Sequence, residues 1–113
     1  MIGIDTNVVV RYLIEDDPGH TGQVHRLLAR AGAQGERVWV STVVLCEALW
    51  VLDSIYRVPK PRIGEAVAQL LDADIFEVET ADLVRVALEM YGAGKAAFAD
   101  YLIGQLHLAR VAG

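Results

Sequence analysis

Met1-Ile2-Gly3-Ile4-Asp5-Thr6-Asn7 is the stretch on which the reading of this chain turns. Apolar residues and a glycine run straight into an aspartate and two small polar residues, and a helical pattern follows at once. The run predicts a strand over Met1–Ile4 buried on both faces, as in a parallel sheet covered by helices. Asp5 then stands at the carboxyl end of the first strand, where open α/β sheets place their ligands. The alternative is that Asp5-Thr6-Asn7 only turns the chain and caps the next helix, a common use of these residue types. Taken alone, the stretch favours the turn. Two later carboxylates in equally apolar settings, Glu47 and Asp100, shift the balance.

Outward from this stretch, helical and extended patterns alternate. Asn7–Glu15 carries Val8, Val9, Tyr12, Leu13 and Ile14 as a short amphipathic helix with Arg11 on the remaining face. Glu15-Asp16-Asp17-Pro18-Gly19 breaks it, and Pro18 suits the first turn of a helix reaching Ala33. Arg37–Ser41 alternates as a strand. Ser41 or Thr42 caps a helix over Val43–Tyr56, Pro59 and Pro61 end it, and another helix spans Arg62–Ala73. Ile75–Val78 reads as a short strand. Thr80-Ala81-Asp82 caps a helix to Tyr91, Gly92–Lys95 is a loop, and Ala96–Val111 is a final helix. Strands separated by helices predict an α/β sandwich on a short parallel sheet, with no repeat or linker.

The chain has 113 residues, enough for one domain with a core. It is 54% apolar with a mean hydropathy of +0.35, which excludes a disordered chain. No apolar run approaches the roughly 20 residues of a membrane span. The N-terminus lacks the basic segment of a secretory signal and carries Asp5. Cys46 is the single cysteine, so no internal disulfide forms, and a reducing cytoplasm is the expected location. Set in an apolar helix without a nearby base, it reads as a small core residue. A net charge of −5 argues against non-specific binding of nucleic acid by the whole surface. It is compatible with an acidic centre and a basic rim.

Glu47 is the only charge in Val43–Leu52, a helix expected to be buried nearly all round. A carboxylate there needs a cation, a proton or a wet cleft, and a structural pair with an arginine is the competing reading. Asp100 is likewise the only charge in Ala96–Leu106, and it can be read as a first-turn acid favoured by the helix dipole. Together with Asp5 they form a consistent set at one edge of the sandwich. Clustered carboxylates suit a hard divalent cation such as Mg²⁺, completed by water and substrate phosphate. No Ser–His–Asp arrangement, P-loop or zinc spacing is present. His20 and His25 read as solvated, and His107 is given no role.

On these residues the chain resembles the PIN-domain family, specifically its VapC-type ribonuclease toxins. The matching pieces are Ile4-Asp5-Thr6-Asn7 with Val10-Arg11-Tyr12-Leu13, then Ser41-Thr42-Val43-Val44-Leu45-Cys46-Glu47 with Trp50-Val51-Leu52, then Phe98-Ala99-Asp100-Tyr101-Leu102-Ile103. The resemblance covers the chain in order. It implies a three-layer α/β/α sandwich lacking its C-terminal strand, in one domain over 1–113. It implies that Asp5, Glu47 and Asp100 are active-site acids, with Asp5 and Asp100 ligating Mg²⁺ or Mn²⁺. Thr6, Asn7 and Ser41 match the small polar residues that support the acids. The implied reaction is metal-assisted hydrolysis of an RNA phosphodiester, with Glu47 orienting the attacking water.

Two departures accompany the resemblance. Ala97 stands where the family usually has a further acid, and the family's final strand and last aspartate would fall beyond Gly113. Arg57, Lys60 and Arg62 form a basic patch that reads as a solvated loop or a phosphate contact. Arg11 and Lys95, next to the acids, are the better substrate-binding candidates. The resemblance also implies a homodimer and a small antitoxin as partner, and Trp50 and Tyr56 mark spare apolar surface for such contacts. Two other readings stay open: a non-catalytic module binding RNA or antitoxin, and, more weakly, an aspartyl-phosphate enzyme. The latter lacks its second acid because Asn7 occupies that place.

Overall fold

The computed structural model describes residues 1–14 and 22–112. The expected break at Glu15–Gly19, the helix start at Pro18, and His20 lie outside the described residues. The elements follow the order β1 (Ile2–Gly3), α1 (Thr6–Ile14), α2 (Gln23–Ala33), β2 (Val38–Val40), α3 (Thr42–Ser54), α4 (Lys60–Asp72), β3 (Phe76–Val78), α5 (Ala81–Ala93) and α6 (Phe98–Ala112). The strands form a parallel sheet in the order β1-β2-β3, with Ile2 opposite Val38, Val38 opposite Phe76 and Val40 opposite Val78. Helices separate parallel strands because a parallel connection must cross back along the sheet. The result is the α/β sandwich that the strand and helix succession predicts. Among the described residues no helix is long and apolar enough to cross a membrane.

Side chains alternate along β2 and β3. Val38, Val40, Phe76 and Val78 point into the core, while Trp39 and Glu77 on the other face are half-buried. The helices add Val9, Leu13, Leu45, Leu49, Leu52, Ile63, Val67, Leu70, Val84 and Leu102 to the same cluster. Within each helix the buried positions recur at helical spacing, such as Ile63, Val67 and Leu70 in α4. Fully burying one such side chain contributes about 1.5–3 kcal/mol.

The first strand departs from expectation. It is two residues long, and Ile2 is 43% exposed instead of covered on both faces. Edge position alone is not the reason, because β3 also pairs only with β2 and still buries Phe76 and Val78; β1 is shorter, and its Gly3 brings no side chain to pack. The helix α3 also departs. Leu45, Ala48, Leu49 and Leu52 bury one face, but Val43 is 67% and Trp50 59% exposed, and Glu47 is exposed. Glu47 therefore bears no burial cost and needs no arginine partner. Its helix is covered on one side only.

Among the described residues, side chains cap two helix starts, those of α1 and α3. The Ser41 hydroxyl accepts the Val44 N–H at 3.2 Å, as expected of that residue. Pro59 stands before α4 without a side-chain cap bond, and the helix begins at Lys60, two residues earlier than predicted, with Pro61 in its first turn. Thr80 does not cap α5 as expected. It adopts the left-handed conformation (φ 49°, ψ 46°), and its hydroxyl donates to the Glu79 carbonyl oxygen. His25 is half-buried and stacks on Tyr12 with ring centroids 4.4 Å apart, a packing role in place of the solvated one expected.

Candidate active site

Because the strands are parallel, their carboxyl ends share one edge, and Asp5, Ser41 and Glu79 follow β1, β2 and β3 there. Asp5 caps α1. Its Oδ1 accepts the Val8 N–H at 3.0 Å, and its carbonyl oxygen accepts the Val9 N–H at 3.2 Å. The turn-and-cap reading of this residue is thus correct at Oδ1, yet it does not exclude a second use. Among the described residues nothing donates to Oδ2, and the side chain is exposed.

Thr6, the first residue of α1, joins Asp5 to the next acid. Its hydroxyl donates to Glu47 Oε2 at 2.8 Å, across 41 positions of chain. The link exists because α1 and α3 pack against each other and both begin at the same sheet edge. Asp100 lies in the first turn of α6, exposed, with its N–H donating to the Ala97 carbonyl oxygen at 3.1 Å. Its neighbours Ala97, Phe98 and Ala99 face Cys46 and Trp50 of α3 across a cleft of about 40 Å³. Residues adjoining Glu47 and Asp100 in sequence thus line one cleft.

The supporting residues divide. Asn7 and Arg11 line an open groove of about 530 Å³ with Asp5, Gln23 and Tyr56. Ser41 spends its hydroxyl on capping α3. Lys95 is exposed in the turn before α6. Of the basic patch, Lys60 turns inward to the carbonyl oxygens of Tyr91 and Gly94, which accounts for its being half-buried. Burial raises the pKa of the Cys46 thiol, which fits a packing role and not a nucleophile's.

Glu79 escaped the sequence reading. Its Oε1 accepts the Thr42 N–H at 2.7 Å, anchoring the start of α3 to the end of β3 and holding the Glu79 carboxyl below its ordinary pKa. The available signal was its place directly after a strand, the place Asp5 has after β1.

An all-oxygen donor set suits a hard cation. Among the described residues no group of three or more His, Cys, Asp or Glu side chains is close enough to hold a metal ion. Mg²⁺ does not demand such a group, since one or two carboxylates plus water and substrate phosphate commonly hold it. Asp5 with its open Oδ2, and Asp100 at a helix start, each present an exposed carboxylate of the kind such a site uses.

The PIN domain family model matches residues 2–110. The chain belongs to the PIN domain family. Over 100 residues it is 26% identical to a protein of Aquifex aeolicus (strain VF5) named VapC ribonuclease, a match covering 88% of this chain and 73% of that one. No solved structure matches the chain significantly. Asp5 follows β1, Glu47 lies in α3 and Asp100 at the start of α6.

Proposed function

We propose that this PIN domain is a metal-dependent endoribonuclease, the toxin of a VapBC-like toxin–antitoxin pair. The observation that carries the proposal is the Asp5-Thr6···Glu47 connection at the carboxyl edge of the sheet, in a chain of this family with a VapC ribonuclease among its relatives. Asp5 and Asp100 would hold Mg²⁺ or Mn²⁺, which when bound supplies charge neutralisation at the phosphate and activation of water. Glu47 orients the attacking water and takes up its proton. The Thr6 hydroxyl fixes Oε2 of that carboxylate, so that Oε1 is the oxygen offered to water. Asn7 holds the groove wall beside Asp5, and Ser41 keeps α3, and with it Glu47, at the sheet edge. Arg11 and Lys95 contact phosphates of the RNA.

Exposed Val43 and Trp50 of α3, with Val86 and Met90 of α5 and Ile103 and Leu108 of α6, offer apolar surface for a homodimer. A small antitoxin would cover the acidic edge, and the cytoplasm is the expected compartment. A non-catalytic binding module is the second reading, favoured by Ala97 and by the absence of a three-acid group among the described residues. Incubating the purified protein with single-stranded RNA in Mg²⁺, Mn²⁺ or chelator separates the two. The enzyme cuts internal phosphodiesters only with metal, whereas the module binds RNA and never cuts it.

A further inference from the structure

The turn between α5 and α6 carries Lys95 and leads directly into Asp100, and it is held from two sides. From the first turn of α4, Lys60 Nζ donates to the carbonyl oxygen of Gly94 at 2.6 Å and to that of Tyr91 at 3.2 Å. The same ammonium lies 4.6 Å from the centroid of the Tyr91 ring. A cation here satisfies carbonyls that the end of α5 leaves without helical partners and complements its dipole. From within α6, the Tyr101 hydroxyl accepts the Ala96 N–H at 3.2 Å. Its ring end sits so close to Gly94 that a Cβ on that residue would overlap the hydroxyl. Tyr101 directly follows Asp100. Beneath the turn, Tyr91 and Phe98 meet edge to face with ring centroids 6.1 Å apart.

We infer that Lys60 is a positioning residue. By tying the end of α5 to the start of α4 it fixes the Gly94–Ala97 turn, and through that turn the direction in which α6 presents Asp100. This inference rests on the reading of Asp100 as a metal ligand. It removes Lys60 from the substrate-binding patch, because two of its three donors are committed to backbone. Charge-assisted bonds to carbonyls are among the stronger side-chain contacts, so the lysine holds this turn more firmly than a neutral side chain of equal length can.

The test compares wild type, Lys60→Met and Lys60→Arg in two measurements on the full chain. Amide hydrogen exchange of the metal-free protein reports whether the turn is held, with no reference to activity. Mn²⁺ titration reports whether Asp100 is presented correctly. In Lys60→Met, exchange of residues 94–101 accelerates about tenfold or more, that of α3 is unchanged, and Mn²⁺ affinity drops several-fold. Arginine, which keeps the charge and the donors, restores both in part. Unchanged exchange over 94–101 in Lys60→Met overturns the inference. So does a loosened turn with wild-type Mn²⁺ affinity, or acceleration spread evenly over the whole chain. Asp100→Asn, titrated alongside, isolates the underlying reading: if it binds Mn²⁺ as wild type does, Asp100 is no ligand, whatever Lys60 does to the turn.

Discussion

Thr6 and Glu47 meet hydroxyl to carboxylate at 2.8 Å, and this bond joins the start of the first helix to the second turn of the third. Thr6 directly follows Asp5, so an acid that caps a helix and a hydroxyl that fixes another acid are neighbours in sequence. Replacing Thr6 by Val keeps the side-chain shape and removes the donor. We expect Thr6→Val to lower RNA cleavage by about 10- to 100-fold in kcat with little change in KM, as for loss of an orienting hydrogen bond. Thr6→Ser should retain most activity. Steady-state kinetics beside thermal melting checks this: a fall in activity that merely follows a fall in Tm would assign Thr6 to folding alone.

Acid sensitivity should trace in part to Glu79. The bonds from Thr42 hold the Glu79 carboxyl below the ordinary glutamate value of 4.5. A depressed folded-state pKa stabilises the fold above the unfolded-state value, and that contribution is lost as pH falls through about 4.5 toward the folded value. Glu79→Gln should therefore lower Tm at pH 7 and flatten the decline of Tm between pH 5 and 3. Melting curves across that range read both effects, and an unchanged acid limb in the variant would remove Glu79 from the account.

Backbone conformation yields another expectation. Thr80 at φ 49° and Arg57 at φ 55° occupy the left-handed region that favours glycine, and Thr80 is β-branched. Arg57 follows α3, where the Val58 N–H reaches back to the Leu52 carbonyl oxygen at 2.9 Å. Arg57→Gly and Thr80→Gly should each stabilise the protein by about 1 kcal/mol in denaturant titration. Destabilisation by either would mean that the replaced side chain contributes more than its backbone costs.

Much of this fold was legible from local pattern. The alternation in Val38-Trp39-Val40, the helical spacing of Ile63, Val67 and Leu70, and the Ser41 cap are local signals, and each appears where it was expected. Exposure was harder to read. The apolar run Ile2-Gly3-Ile4 looks buried from composition, but whether an edge strand is covered depends on what packs over it: β3 is covered and β1 is not. Val43 and Trp50 pose the same problem, because a helix that is apolar all round can be covered on one side and leave the other bare. The acids were visible as lone charges among apolar residues. Their connections were not: Thr6 to Glu47 and Glu79 to Thr42 span 41 and 37 positions, and no local pattern encodes such pairings. Lys60 misled for a related reason, since its place beside Arg57 and Arg62 suggested a surface patch and its carbonyl partners lie more than 30 residues away.

Core substitutions supply a control on the fold itself. Leu45 in α3 and Leu102 in α6 are fully buried. Truncating either to Ala should cost about 2–5 kcal/mol in denaturant unfolding. A cost under about 1 kcal/mol at either position would contradict the packing of that helix against the core.

The most direct measurement is cleavage of single-stranded RNA with Mg²⁺ or Mn²⁺ by wild type and Asp5→Asn. Asparagine caps a helix about as well as aspartate, so the variant keeps the bond to the Val8 N–H and loses the charge meant for the metal. The account predicts matched melting temperatures and a loss of cleavage of about 100-fold or more, with wild type silent in chelator. Cleavage by Asp5→Asn at the wild-type rate, or by wild type without metal, would contradict it.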